Sequence, residues 1–179
     1  MKKVIATLLG VILSFSPIVA DANMYITYPA EIDLPYEVIG ECIDAGEEFD
    51  VAPSLLMSLV WQESRGQLDN ATQITKLKWF QEGIKATGAT NPKTNRRENI
   101  RICAYYLSVW CAEYDDPILA TEMWNEGKET ALATHNDLKP SIYAQQIDER
   151  SQRWSIALDR YFEQERRYES WRQTLVTEN

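Results

Sequence analysis

From Tyr36 onward the apolar residues recur three and four positions apart, and no stretch alternates at period two for long. A face built at that spacing belongs to a helix, and it must be buried against other helices. Arg96–Tyr114 carries the clearest case, with Ile100, Cys103, Leu107, Trp110 and Tyr114 along one side. Further helices are expected over residues 35–48, 53–66, 76–87, 116–127 and 140–175. Pro53 suits the first turn of a helix, and Asp116-Pro117 pairs a capping residue with a proline at the first helical position. Residues 88–95 read as a loop around Asn91-Pro92, and residues 128–139 as a loop or weakly signalled turn. In the last helix Trp154, Leu158, Tyr161, Tyr168 and Leu175 mark a stripe, interrupted at Glu165. The expected fold is all-α.

The first residues stand apart from this pattern. Lys2-Lys3 is followed by an almost wholly apolar run from Val4 to Val19, and then by Ala20-Asp21-Ala22. That is the layout of a secretory signal peptide. The alternative is a membrane anchor, but the run is short for a span of about 20 residues. No cysteine stands at the cleavage point to carry a lipid, so no stable membrane anchor is expected after cleavage. Cleavage after Ala22 leaves residues 23–179 in the periplasm or outside the cell.

Charge and residue counts exclude several kinds of chemistry. The chain has 18 basic and 27 acidic residues, for a net charge of −9. Nucleic acid as a partner calls for the opposite sign. There is one histidine, His135. A zinc site with two or three histidines is excluded, and any Ser-His or Cys-His apparatus would have to pass through His135. The three cysteines, Cys42, Cys103 and Cys111, contain no C-x-x-C pair and give no metal signature. Cys103 and Cys111 share a helix and stand about 12 Å apart, too far for a disulfide. Two alternatives remain open: Cys42 bridges to Cys103 or Cys111, or all three stay reduced. Neither a metal nor another cofactor is implied.

Glu63 is the residue whose position needs explaining. Leu56, Leu59 and Val60 lie seven, four and three residues before it, so the carboxylate extends an apolar face. It also sits near a helix C-terminus, where the helix dipole disfavours negative charge. Both effects push a carboxyl pKa upward, the condition for a general acid near neutral pH. The plain alternative is a boundary glutamate with its head in water.

The residues around it resemble a known family. Trp61-Gln62-Glu63-Ser64-Arg65-Gly66 resembles the E-S signature of the goose-type-lysozyme-like lytic transglycosylases, the soluble-lytic-transglycosylase family. Residues 72–81 have the length of that family's S-x-x-G-A-x-G-L-M-Q segment, starting at Thr72 and ending Trp79-Phe80-Gln81. Asn91-Pro92 and Arg97-Glu98-Asn99-Ile100 resemble the loop and start of its next core helix. Trp124-Asn125-Glu126-Gly127 resembles Y-N-x-G, and Tyr143 with Ile147 resembles the closing Y-x-x-x-[VI] element. The ordered set runs from Tyr36 to Ile147. Thr75, Lys76 and Lys78 replace the family's two glycines and alanine, and Trp124 replaces a tyrosine.

The resemblance implies a lysozyme-like helical domain over residues 23–147, with an additional C-terminal helix over 148–179. It implies an exported enzyme that cleaves the β-1,4 bond between N-acetylmuramic acid and N-acetylglucosamine in peptidoglycan. The product would be a 1,6-anhydro sugar. Glu63 would be the catalytic acid and base. Ser64, Gln81, Trp124, Asn125 and Tyr143 would bind or position the glycan strand. The short chain suits an enzyme that opens the wall for a secretion, conjugation or pilus complex in the cell envelope. The altered 72–81 segment motivates one alternative, an impaired peptidoglycan-binding or scaffold protein of the same fold. A hydrolytic lysozyme is the other. Asp69 and Glu82 are the carboxylates nearest the motifs that could make cleavage hydrolytic.

Overall fold

Helix α2 (Pro53–Ser64) has no solvent-facing side from Ser54 to Val60, where all seven residues are buried. An all-round buried helix must be central, with neighbours on every side. The computed structural model describes residues 28–74, 80–136 and 139–177. Among them the chain forms only helices: α1 (Tyr36–Phe49), α2, α3 (Phe80–Thr87), α4 (Arg96–Tyr114), α5 (Pro117–Glu126), α6 (Lys128–Thr134) and α7 (Ile142–Thr177). The fold is all-α. The expected signal peptide lies outside the described residues. Among those described, no helix is long and apolar enough to cross a membrane.

α1, α4 and α7 enclose α2. On α1 the buried set is Val38, Ile39, Cys42, Ala45 and Gly46, one face at three- and four-residue steps. α4 runs beside α1 in the same direction, because Glu41, Asp44 and Glu48 pair in order with Arg96, Arg97 and Arg101. These surface pairs are worth about 1 kcal/mol or less each. They set register on top of a core containing Ile100, Cys103 and Leu107. α3 packs closely on α4 at Gly83, where a Cβ would come within 2.5 Å of Ile102 Cγ2.

Capping explains where the clearest helices begin. Asn95 Oδ1 accepts from the Glu98 N–H at the start of α4. Asp116 Oδ1 accepts from the Ile118 and Leu119 N–H groups at 2.8 and 2.9 Å, with Pro117 inside the first turn of α5. α6 is a helix where a loop or weakly signalled turn was expected. Its seven residues bury only Ala131, and no side chain caps it, so its sequence carries almost no periodic signal.

α7 lies antiparallel to α2. Ser54 contacts Ser151, Ser58 contacts Arg150, Gln62 contacts Gln146 and Glu63 contacts Tyr143, in opposite chain order. The helix passes unbroken through Ile147, the expected end of the first domain. Its core face continues beyond that boundary to Arg150, Trp154, Ala157 and Leu158. Within residues 148–158, Trp154, Ala157 and Leu158 pack into the same hydrophobic core as the helices before them. The segment before α1 covers this part, with Trp154 Nε1 donating to Glu31 O and the Tyr28 ring against Tyr161. Farther along α7 the side chains turn to solvent, and Trp171 is 53% exposed.

Candidate active site

Two left-handed residues end α2 directly after Glu63 and Ser64. Arg65 has φ +57° and donates its N–H to Trp61 O. Gly66 follows at φ +70°, and a Cβ there would meet Leu34 Cδ2 at 2.9 Å. Glycine satisfies both the dihedral and the space. The chain then returns, and Gln73 Nε2 donates to Glu63 O at 2.8 Å. That bond satisfies one of the carbonyls a helix end leaves unpaired.

The returning segment is itself anchored. Asn99, fully buried on α4, accepts from both the N–H and the hydroxyl of Thr72 at 2.9 and 2.7 Å. Its amide donates to Asn70 Oδ1 and Pro92 O. Thr72 and Asn99 thus join two of the matched motifs through one satisfied buried amide.

α7 supplies the residue that faces the carboxylate. The Tyr143 hydroxyl donates to Glu63 Oε1 at 2.5 Å, and Glu63 is half-buried. Burial pushes the Tyr143 phenol far above its usual range, and the charge and hydrogen bond of Glu63 add to the shift. The phenol therefore stays a proton donor at any working pH. Cys103 of α4 lies close by. Burial raises its thiol well above the ordinary value, and Glu63 adds to this. Glu63 thus has an apolar floor and a fixed hydroxyl beside it.

The other expected site residues divide. Ser64 Oγ donates to Val60 O and accepts from the Gly66 N–H, so it finishes the helix end. Trp124 is a correction. It is 3% exposed and packs edge-on against Trp110 in the core, leaving no ring face for a sugar. Gln81 and Asn125 are exposed on α3 and α5, outside the Glu63–Tyr143 pair. Asp69 and Glu82 are exposed as well. The substituted positions Thr75, Lys76 and Lys78 lie outside the described residues.

The cysteines are free, and neither bridge from Cys42 is formed. Cys42 and Cys103 are buried in the core, where desolvation pushes both thiols up and keeps them protonated and unreactive. Among the described residues no cluster of His, Cys, Asp or Glu is arranged to hold a metal.

One polar cluster was not anticipated. Glu122 of α5 is 3% exposed, and Oε1 accepts from the Ser141 N–H at 2.6 Å. Oε2 lies 2.6 Å from His135 Nδ1, and His135 Nε2 is 3.2 Å from Asp116 Oδ2. Burial works against the Glu122 charge, but the bonds from Ser141 and His135 outweigh it and hold the carboxyl below its ordinary range. His135, to which the sequence assigned no role, ties α5 to the chain just before α7. The signal was present: Ile118 and Leu119 precede Glu122 by four and three residues, the spacing that singles out Glu63.

Comparison with protein-family models, curated proteins and solved structures finds no match. The functional reading therefore rests on the residues and their geometry.

Proposed function

We propose that this protein is an exported peptidoglycan lytic transglycosylase with Glu63 as its acid and base. The observation that carries the reading is the hydrogen bond from Tyr143 to Glu63. The resemblance implied Tyr143 as a site residue from a motif 80 residues away, and its hydroxyl is bonded to Glu63.

The chemistry needs one carboxyl group. Glu63 protonates the leaving glycosidic oxygen and becomes a carboxylate. Tyr143, fixed on Oε1, stabilises that charge with a charge-assisted hydrogen bond and directs proton exchange to Oε2. The carboxylate then accepts the proton of the muramic C6 hydroxyl as that oxygen closes on C1. The same group serves as acid and then base, as microscopic reversibility allows. Water is not consumed, and the product is the 1,6-anhydro sugar. The substrate's acetamido group would assist at the cationic carbon. Gln81 and Asn125 are the exposed amides available to hydroxyl and acetamido groups of the strand.

The test is digestion of purified peptidoglycan with residues 23–179, followed by mass analysis of the fragments. Anhydro-muramic ends are expected. Reducing muramic ends would assign a hydrolytic lysozyme instead. Binding without release would assign a scaffold. A role within a secretion, conjugation or pilus complex is part of the same proposal.

A further inference from the structure

A cleft of about 530 Å³ opens between α7, Trp61 on α2 and the segment before α1, and three arginines, Arg150, Arg153 and Arg160, line it. Resting on the reading of Glu63 given above, we propose that this cleft binds the carboxylates of the peptide carried by the muramic acid. The cleft would select peptide-bearing strands over bare glycan.

The arginines are the first argument. Elsewhere the chain, acidic overall, sets its arginines against carboxylates, as in Arg96–Glu41, Arg97–Asp44, Arg101–Glu48 and Arg167–Glu163. Among the described residues, none of the cleft arginines forms an ion pair. Arg150 is 8% exposed, and its guanidinium donates only to the neutral Ser58 O and Gln62 Oε1, at 3.2 and 3.3 Å. Burial, with Arg65 and Arg153 nearby, pushes its pKa down to about 10. A buried charge without a counter-ion is costly, and an incoming carboxylate would relieve that cost. Glu31 and Asp33 also line the cleft. Asp33 Oδ2 accepts from Trp61 Nε1 at 3.4 Å, whereas Trp154 Nε1 donates to the backbone carbonyl of Glu31 and leaves its carboxylate in the cleft. Against these two acids stand the three lining arginines and Arg65 behind Trp61.

The cleft also offers no open ring face at Trp61. The guanidinium carbons of Arg65 and Arg150 lie 3.1 and 3.7 Å from the Trp61 ring centroid. At those distances each guanidinium needs a ring face to itself, so both faces are covered and no sugar can stack there. Trp154 is buried. The polar groups lining the cleft are therefore the Glu31 and Asp33 carboxylates and the guanidinium forks, and the forks match the geometry of an incoming carboxylate.

Reach is the third argument. Arg150 follows Tyr143 by seven residues, on the same face of α7, so it lies about 10 Å along the axis from the Glu63 contact. Arg153 lies at about 15 Å and Arg160 at about 25 Å. An extended peptide of four or five residues spans roughly 13–18 Å. A peptide hung from a sugar at Glu63 reaches Arg150 and Arg153 but not Arg160.

Two measurements on residues 23–179 test the proposal. The first is titration of a muramoyl tetrapeptide, and of the same compound with its carboxyls amidated, followed by calorimetry. Binding of the carboxylate form with about tenfold or greater loss on amidation supports the cleft. Equal binding of both forms, or of neither, overturns it. Inorganic phosphate and vesicles containing anionic phospholipid serve as competing probes, and preference for either over the tetrapeptide also overturns it. The second is the ratio of release from peptide-bearing peptidoglycan to release from glycan stripped of peptide. Arg153→Gln should lower that ratio about tenfold, Arg160→Gln less, and Arg166→Gln, outside the cleft, not at all. An unchanged ratio in Arg153→Gln overturns the proposal. Release from neither substrate would instead end the glycan-cleaving reading, and the titration would still judge the cleft.

Discussion

Glu63 on α2 and Glu122 on α5 obey the same spacing rule. Each follows apolar residues by three and four positions and sits in the last turns of its helix. The surroundings then treat them differently. Glu122 is almost wholly enclosed, with Ser141 N–H on one oxygen and His135 on the other. Those bonds hold it charged, and it pins the chain two residues before Tyr143. Glu63 is half-buried against a hydroxyl that cannot ionise near neutral pH. Glu122 has its charge locked in place by enclosure, whereas the Glu63 carboxylate carries the Tyr143 phenol on one oxygen and stays partly open to solvent. Pattern alone raises both residues as candidates, and their partners separate them.

The largest expected effect sets the two apart directly. Glu63→Gln should lower glycan release by about 10²–10⁴-fold, the usual range for a positioned acid or base. Its unfolding free energy should move by less than about 1 kcal/mol in urea denaturation. The converse holds for Glu122→Gln, which should cost about 2–3 kcal/mol at pH 7 because buried donors lose a charged acceptor. Release per folded molecule should persist. The Glu122 carboxyl lies below its ordinary value in the fold, so its stabilisation is present above about pH 4.5 and is lost as pH falls through the folded pKa. The stability gap between wild type and Glu122→Gln should therefore close in acid. A gap that widens there would contradict the assignment.

Tyr143→Phe comes next, with about a tenfold fall in release from loss of one charge-assisted bond and a folded protein by circular dichroism. An unchanged rate would reduce Tyr143 to packing. The smallest effect is expected for Ser64→Ala. Its hydroxyl finishes the helix end, so stability should fall by about 0.5–1 kcal/mol while release is retained. A large loss of release would return Ser64 to the substrate.

The helical fold was legible wherever a face was long enough to repeat. α4 shows its five-residue stripe, and α5 shows Asp116-Pro117, so both could be placed from sequence. α6 could not, because a helix burying only Ala131 has no period to read. Glu63 and Tyr143 were both raised as site residues, Glu63 from spacing and resemblance and Tyr143 from resemblance. Their contact depends on α7 lying antiparallel on α2, which no local signal encodes. Trp124 went wrong because an aromatic at a matched position says nothing about which way it faces. Here it faces Trp110. The His135 cluster was missed because its partners are 13 and 19 residues apart and meet only once α5, α6 and α7 have packed.

The central claim is that Glu63 cleaves glycan with the substrate's own hydroxyl as nucleophile. Digestion of peptidoglycan by residues 23–179, with Glu63→Gln in parallel and the fragments weighed, tests it most directly. The expected result is fragments one water lighter than hydrolysis products, absent from the Glu63→Gln digest. Fragments carrying reducing muramic ends, or equal release by the variant, would contradict it.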